Sequence, residues 1–127
     1  MEIIDKQFAA LQQHFPLARR TPMSNGAVLV EIPEFDLPEG WSIAKGTVIF
    51  LLPPGYPSAQ PDCFWLEPGP VRLVDGGAPT ASNDANPVPG GEPRGTWFSW
   101  HLQSWNPNRD NMLTYVNVIA QRLNPAR

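Results

Sequence analysis

The chain has 127 residues, of which 42% are hydrophobic and 17% charged, and its formal net charge is −3. This is the size and composition of one globular domain, and the negative charge argues against a nucleic-acid partner. The longest apolar run, Val48–Leu52, is far too short to cross a bilayer. The N-terminus is acidic and amphipathic, unlike a signal peptide, so we expect a cytoplasmic protein without a membrane partner.

The cysteine and histidine content is low. Cys63 is the single cysteine, which excludes an internal disulfide. With only His14 and His101 besides, no set of soft ligands has metal-site spacing. We therefore expect no metal and no cofactor. His14 ends the first predicted helix, where a histidine interacts favourably with the helix dipole.

The first half of the chain predicts a helix followed by strands. Apolar residues at helical spacing predict an amphipathic helix over Glu2–Phe15, which Pro16 ends. Ala27–Ile32 is predicted to be a strand. Its partner begins either at Trp41, after a Pro-Glu-Gly turn, or at Thr47, after a glycine, and the pattern fits both starts.

The stretch Thr47–Leu66, TVIFLLPPGYPSAQPDCFWL, predicts two strands joined by a proline-rich corner. The β-branched run TVIFLL has strand length, and the prolines that follow remove backbone donors and fix φ, which ends the ladder. DCFWL resumes strand character, and Val71–Val74 is a candidate further strand. These segments predict an antiparallel meander of about four strands.

Many of the glycines and prolines lie in the segment Asp75–Gly95, which has no hydrophobic periodicity and no large apolar residues. A long segment of this kind in a compact domain is either a functional loop or disordered, and both interpretations stay open. Because its composition supplies no packed face, we expect the loop to be mobile or held by few contacts. It leads directly into Gly95–Trp105 and should lie beside it.

The chain closes with a second predicted helix over Asp110–Leu123, after the aromatic-rich stretch Gly95–Trp105, and Pro125 ends it. The order of helix, meander, long irregular loop and helix is an α+β pattern in which the helices cover the sheet. We expect residues 1–127 to form a single domain.

The proline corner resembles the Tyr-Pro-x-x-Pro-Pro corner of the ubiquitin-conjugating (E2) fold. Tyr56, Pro57 and Pro61 stand where that motif has its Tyr, its first Pro and its last Pro, while Gln60 replaces the middle Pro. The order of predicted elements is also that of the E2 fold.

A second match is Trp105-Asn-Pro107 with the helix after it, because E2 proteins follow their active-site segment with Trp-x-Pro and a helix. The two matches together cover Trp41–Leu123. The chain looks most similar to the divergent bacterial E2-like proteins of the prokaryotic E2 family E type. The resemblance implies an E2/UBC-like fold and two partners, a ubiquitin-like protein and an E1-like enzyme.

The resemblance also implies where the nucleophile should lie, and this chain has no cysteine there. Counting back from Trp105 by the family's spacing reaches Trp97, and a slip of one or two residues reaches Phe98 or Ser99. Cys63 falls instead in the predicted strand after the corner, where the family has a core aliphatic residue. Because cysteine is among the most buried residue types, we expect Cys63 to be core filler.

Three hypotheses remain for the segment FSWHLQSW. In the first, Ser99 replaces the thiol and His101 assists it as base, since residues 99 and 101 of a strand point to the same side. In the second, His101 handles protons or reacts by itself. In the third, the position is inert and Trp97, Trp100 and Trp105 wall a binding groove for the tail of the ubiquitin-like protein.

Asn83 and Asn86 are the nearest candidates for the asparagine that supports the oxyanion in E2 proteins, although turn formation explains both. The leading hypothesis is an E2-like component that binds, and carries, a ubiquitin-like protein. The alternatives are a catalytically inactive module like E2 variants or RWD domains, and a small β-rich domain that binds carbohydrate or peptide through exposed tryptophans.

Overall fold

The computed structural model describes residues 2–88 and 95–127. The elements in chain order are α1 (Glu2–His14), β1 (Arg19–Pro22), β2 (Val28–Asp36), β3 (Lys45–Leu52), β4 (Phe64–Glu67), β5 (Ser82–Asn83), β6 (Thr96–Phe98) and α2 (Met112–Leu123). In these ranges the strands form one antiparallel sheet in the order β1-β2-β3-β4-β6-β5. The α+β pattern with a helix at each end is confirmed. No described helix has the length and apolar character needed to span a bilayer.

Two strand predictions need correction, and two strands were missed. The strand predicted to end at Ile32 continues to Asp36, because a register shift between Ile32 and Phe35 lets the chain pass Pro33 in a bulge. The strands β1 and β5 were not predicted. The candidate strand Val71–Val74 is wrong, since within the described residues it makes one isolated bridge, from Leu73.

The helices α1 and α2 cover one face of the sheet and form the main core with it. Phe8 and Leu11 of α1 and Tyr115 of α2 are buried in one cluster with inward-facing residues of β2, β3 and β4. The rings of Phe50 and Tyr115 meet edge to face at 5.2 Å. Each such side chain contributes about 1.5–3 kcal/mol of burial free energy, so this face holds the helices in place.

The N-terminus of α2 is fixed by a capping box. The side chain of Asn111 accepts a hydrogen bond from the backbone N–H of Thr114 at 3.1 Å, and the Thr114 hydroxyl accepts one from Asn111 N–H at 3.1 Å. The Met112 N–H donates to Gln7 Oε1 of α1 at 3.2 Å, and the Tyr56 hydroxyl donates to the same oxygen. Gln7 thus joins both helices to the proline corner.

The opposite face of the sheet, the outer face, is covered by part of the Gly/Pro-rich segment. Val88 is buried there in a second cluster with Leu29, Ile49 and Trp65. The Trp65 indole N–H donates to Asn86 O at 2.9 Å. The expectation that the segment makes few contacts is therefore wrong for residues 75–88, because side chains near its end pack on the sheet. Residues 89–94 lie outside the described residues.

Candidate functional site

The residues Ser99–Ser104, called the site segment below, connect β6 to the turn before α2. They line a surface cleft of about 450 Å³ together with Val118 and Gln121 of α2. At the start of β6, a Cβ on Gly95 would lie 2.2 Å from Leu66 O, and the φ of Gly95 is 63°. Only glycine fits this position, so Gly95 sets the entry of the chain into β6 and the site segment.

The side chain of Gln60 holds the middle of the site segment. Its Nε2 donates to Leu102 O at 3.2 Å, and its Oε1 accepts from Leu102 N–H at 3.1 Å. A proline at this position, as in the E2 corner motif, could make neither bond. The departure from the motif therefore attaches the site segment to the proline corner.

Ser99 and His101 both line the cleft, but the structure does not join them as a catalytic pair. The strand β6 ends at Phe98, so residues 99 and 101 lie in the chain that follows the strand and not in the strand itself. In the described part of the chain no hydrogen bond links the Ser99 hydroxyl to the His101 ring. The Ser99 N–H donates to Ala81 O at 3.0 Å.

The imidazole of His101 has an acidic neighbour. Its Nδ1 lies 3.8 Å from Asp62 Oδ1, and the two side chains are 46% and 89% exposed. This separation exceeds a hydrogen bond, and water screens such a pair. His101 is therefore an accessible ring that lines the cleft.

The three tryptophans do not wall one groove, which corrects the sequence-based expectation. Trp97 packs on the outer face of the sheet, while Trp100 and Trp105 pack against the main core on the other face. Trp105 donates its indole N–H to Pro57 O at 2.7 Å and contacts the Tyr56 ring at 6.0 Å. Among the three, Trp100 alone lines the cleft.

The proline corner contacts the site segment and the residue after it and holds them in position. Tyr56 and Pro61 are buried, and burial raises the pKa of the Tyr56 hydroxyl, which stays protonated. Through Pro57 O the corner binds Trp105, and through Gln60 it binds Leu102. The three motif residues Tyr56, Pro57 and Pro61 thus have a positioning role.

Asn83 and Asn86 are placed as turn and packing residues. The Asn83 side chain accepts a hydrogen bond from Ala85 N–H at 2.5 Å, which is an Asx turn. Asn86 lines a pocket on the outer face and accepts the Trp65 indole through its backbone carbonyl. Neither residue lines the cleft of the site segment.

Cys63 lies immediately before β4 and is partly buried rather than part of the sealed core. It lines a pocket of about 380 Å³ on the outer face with Trp65 and Trp97. Burial raises the pKa of the Cys63 thiol, which keeps it protonated and weakly nucleophilic at neutral pH. Among the described residues, no three His, Cys, Asp or Glu side chains lie together as metal ligands would.

Arg122 of α2 is a residue of this region that sequence analysis did not single out. Only 1% of the surface of Arg122 is exposed. Its Nη2 donates to Thr80 O at 2.6 Å and to Arg127 O at 3.0 Å. Its Cζ lies 5.1 Å from the Phe98 ring centroid and 5.4 Å from that of Trp100. Burial lowers the pKa of Arg122 to about 10, so it remains a cation at neutral pH. No sequence pattern distinguishes it from a solvent-exposed helical arginine.

Comparison with known proteins gives one match. The chain matches a family model described as Prokaryotic E2 family E over residues 10–126. No curated protein and no solved structure matched it. The matched range contains the proline corner, the site segment and α2. The chain therefore belongs to prokaryotic E2 family E.

Proposed function

We propose that the chain is the E2-like component of a bacterial, cytoplasmic ubiquitin-like modification system, and that it holds the tail of a ubiquitin-like protein in the cleft beside the site segment. The observation that carries the proposal is the position of this cleft. It lies directly after β6 and against α2, where E2 proteins have their active-site segment. Family membership supports an E1-like enzyme as the donor.

The surface around α1 is proposed to bind the E1-like enzyme. Ile3 on α1 and Leu17 just after it are exposed large apolar side chains. Apolar residues of this kind are frequent anchors of protein interfaces. Gln7, on the same helix, contacts the proline corner that supports the site segment.

Carriage of the ubiquitin-like protein is proposed to use Ser99 as an oxygen nucleophile. Ser99 Oγ attacks the carbonyl of the tail's thioester on the E1-like enzyme, the thiolate leaves, and an oxygen ester forms on Ser99. The hydroxyl proton passes to His101, the one titratable base among the described residues that line the same cleft. Hydrogen bonds of catalytic groups are often long before substrate binds, so the open Ser99–His101 geometry is compatible with this route.

One observation favours a second function, a binding module without catalysis. Among the described residues, the Ser99 hydroxyl has no base within hydrogen-bond distance, and an unactivated serine is a weak nucleophile. In that function the chain binds the ubiquitin-like protein and forms no covalent bond.

The test is incubation with the E1-like enzyme, the ubiquitin-like protein and ATP, followed by intact mass spectrometry. We expect an adduct that Ser99→Ala abolishes and that Ser99→Cys converts to a reductant-sensitive one. His101→Ala should slow adduct formation by about 10²–10⁴-fold. Cys63→Ala should keep the adduct, because the Cys63 thiol lies on the other face of the sheet. Ser58→Ala, an exposed control, should keep it too. Binding without any adduct would support the binding module instead.

A further inference from the structure

The site segment continues the hydrogen-bond register of β6 after the strand itself has ended. On one side β6 pairs with β4, with Phe64 opposite Phe98. Continued without a shift, this register sets Gln60 opposite Leu102. The Gln60 amide gives one hydrogen bond to Leu102 and accepts one from it, as a hydrogen-bonded residue pair of an antiparallel ladder does. Gln60 thus substitutes for a neighbouring strand.

On its other side β6 pairs with β5, and this line of partners stops early. The last bond runs from Ser99 N–H to Ala81 O, in the register of the β5–β6 pairing. At Ala81 a φ of 52° turns the chain away. The next residue in register with His101 would be Pro79, which has no N–H and whose carbonyl already accepts the Ser82 hydroxyl at 2.6 Å.

The backbone of the site segment is therefore occupied on one side and open on the other. In an extended chain the N–H and C=O of alternate residues point to opposite sides. The groups of Leu102 face Gln60, so those of His101 and Gln103 face the vacant side. In the described part of the chain the backbone N–H and C=O of these two residues make no hydrogen bond. Residues 99–102 contain no turn or bend, and the chain bends at Gln103 and Ser104, so Gln103 is the last residue of this open side.

We propose that His101 and Gln103 form a short open strand edge, and that the extended tail of the ubiquitin-like protein binds there by adding a strand. This inference rests on the proposed function and names how the tail is recognised. The incoming main chain exchanges hydrogen bonds with the N–H and C=O of these two residues, about 6.6 Å apart along the edge. It occupies the position that β5 leaves empty.

The chemistry of the edge and the size of the cleft beside it favour an extended segment with small side chains as the ligand. The open groups are main-chain donors and acceptors, which recognise a backbone rather than particular side chains. The same residues line the cleft of about 450 Å³ against Val118 and Gln121. This volume lies at the small end of ligand clefts, so it accepts a few residues of extended chain and excludes a folded domain.

The first test measures solvent exchange of backbone amides by NMR, on the full chain with and without the ubiquitin-like protein. We expect the amides of His101 and Gln103 to exchange at least about tenfold more slowly on binding. The Leu102 amide, already bonded to Gln60, should change far less. If the ubiquitin-like protein binds but the His101 and Gln103 amides are not slowed more than the Leu102 amide, the proposal of a strand edge is overturned and the proposed function stands. If the ubiquitin-like protein does not bind, the proposed function itself has failed.

A pair of variants tests the same edge through affinity. Gln103→Pro removes the N–H, whereas Gln103→Ala keeps it and alters only the side chain. We expect Gln103→Pro to raise Kd about tenfold above that of Gln103→Ala, the effect of one hydrogen bond. Equal Kd values for the two variants overturn the proposal. Protection of the Leu102 amide in the free Gln103→Pro variant verifies that the hydrogen bonds between Gln60 and Leu102 are intact. If that protection is lost, the amide exchange of the unmodified chain decides whether the strand edge exists.

Discussion

Arg122 is a buried cation surrounded by carbonyl oxygens and aromatic rings. It donates hydrogen bonds to the main-chain oxygens of Thr80 and Arg127 and lies over the rings of Phe98 and Trp100. Among the described residues no Asp or Glu side chain pairs with it. At the residue scale, Arg122 therefore joins α2, the chain end and the site segment.

We predict that Arg122→Ala lowers the free energy of unfolding by about 2–4 kcal/mol, because it removes these hydrogen bonds and leaves a cavity under Trp100. Urea denaturation measures the effect. Asn117→Ala, at an exposed position of the same helix, should change stability by less than about 0.5 kcal/mol. A loss for Arg122→Ala as small as that of the control would contradict the assigned role.

At the scale of elements, Asp84 anchors the segment of residues 82–88, whose end packs on the outer face. The Arg72 guanidinium donates to its carboxylate, and the Thr96 hydroxyl donates to Asp84 Oδ1 at 2.6 Å. The hydrogen bond from Arg72 is the largest influence and holds the pKa of Asp84 below its ordinary value of 3.8. The attachment is therefore fully present above that value and is lost as pH falls through the lower, folded-state pKa.

We predict that acidification below about pH 4 loosens this segment before the helices unfold. The protection factor of the Trp65 indole N–H, which donates to Asn86 O, reports the loosening. Asp84→Asn should lower this protection at neutral pH and remove its pH dependence. Unchanged protection down to the pH of global unfolding would show that Asp84 does not hold the segment.

At the scale of the whole molecule, Gln7 connects α1, the proline corner and α2. Its single side-chain oxygen accepts from the Tyr56 hydroxyl and from the Met112 N–H. Tyr56 in turn contacts Trp105, which directly follows the site segment. The helix proposed to bind the E1-like enzyme is thereby linked to the proposed tail site.

We predict that Gln7→Ala lowers the free energy of unfolding by about 1–3 kcal/mol, because the buried Tyr56 hydroxyl loses its acceptor. Gln7→Glu keeps an acceptor oxygen and should lose less. Urea denaturation of both variants measures the difference. A smaller loss for Gln7→Ala than for Gln7→Glu would contradict the role of this oxygen.

Sequence analysis predicted the two helices and the proline corner because periodic apolar residues and prolines act locally. It missed β1 and β5, since short edge strands such as Arg19–Pro22 have no alternating apolar pattern. The division of the tryptophans between the two faces depends on strand register, which single residues do not reveal. The hydrogen bonds between Gln60 and Leu102 and the burial of Arg122 depend on contacts between residues distant in sequence.

The most direct test of the central claim, that the tail of a ubiquitin-like protein binds in the cleft beside the site segment, is the Kd measured by calorimetry for a cleft-filling variant. Gln121 lines the cleft, whereas Asn117 is exposed on the same helix and does not line it. We predict that Gln121→Trp raises Kd at least about tenfold, because it occupies the volume of the tail, and that Asn117→Trp leaves Kd unchanged. Equal Kd values for the unmodified chain and for Gln121→Trp would contradict binding in this cleft.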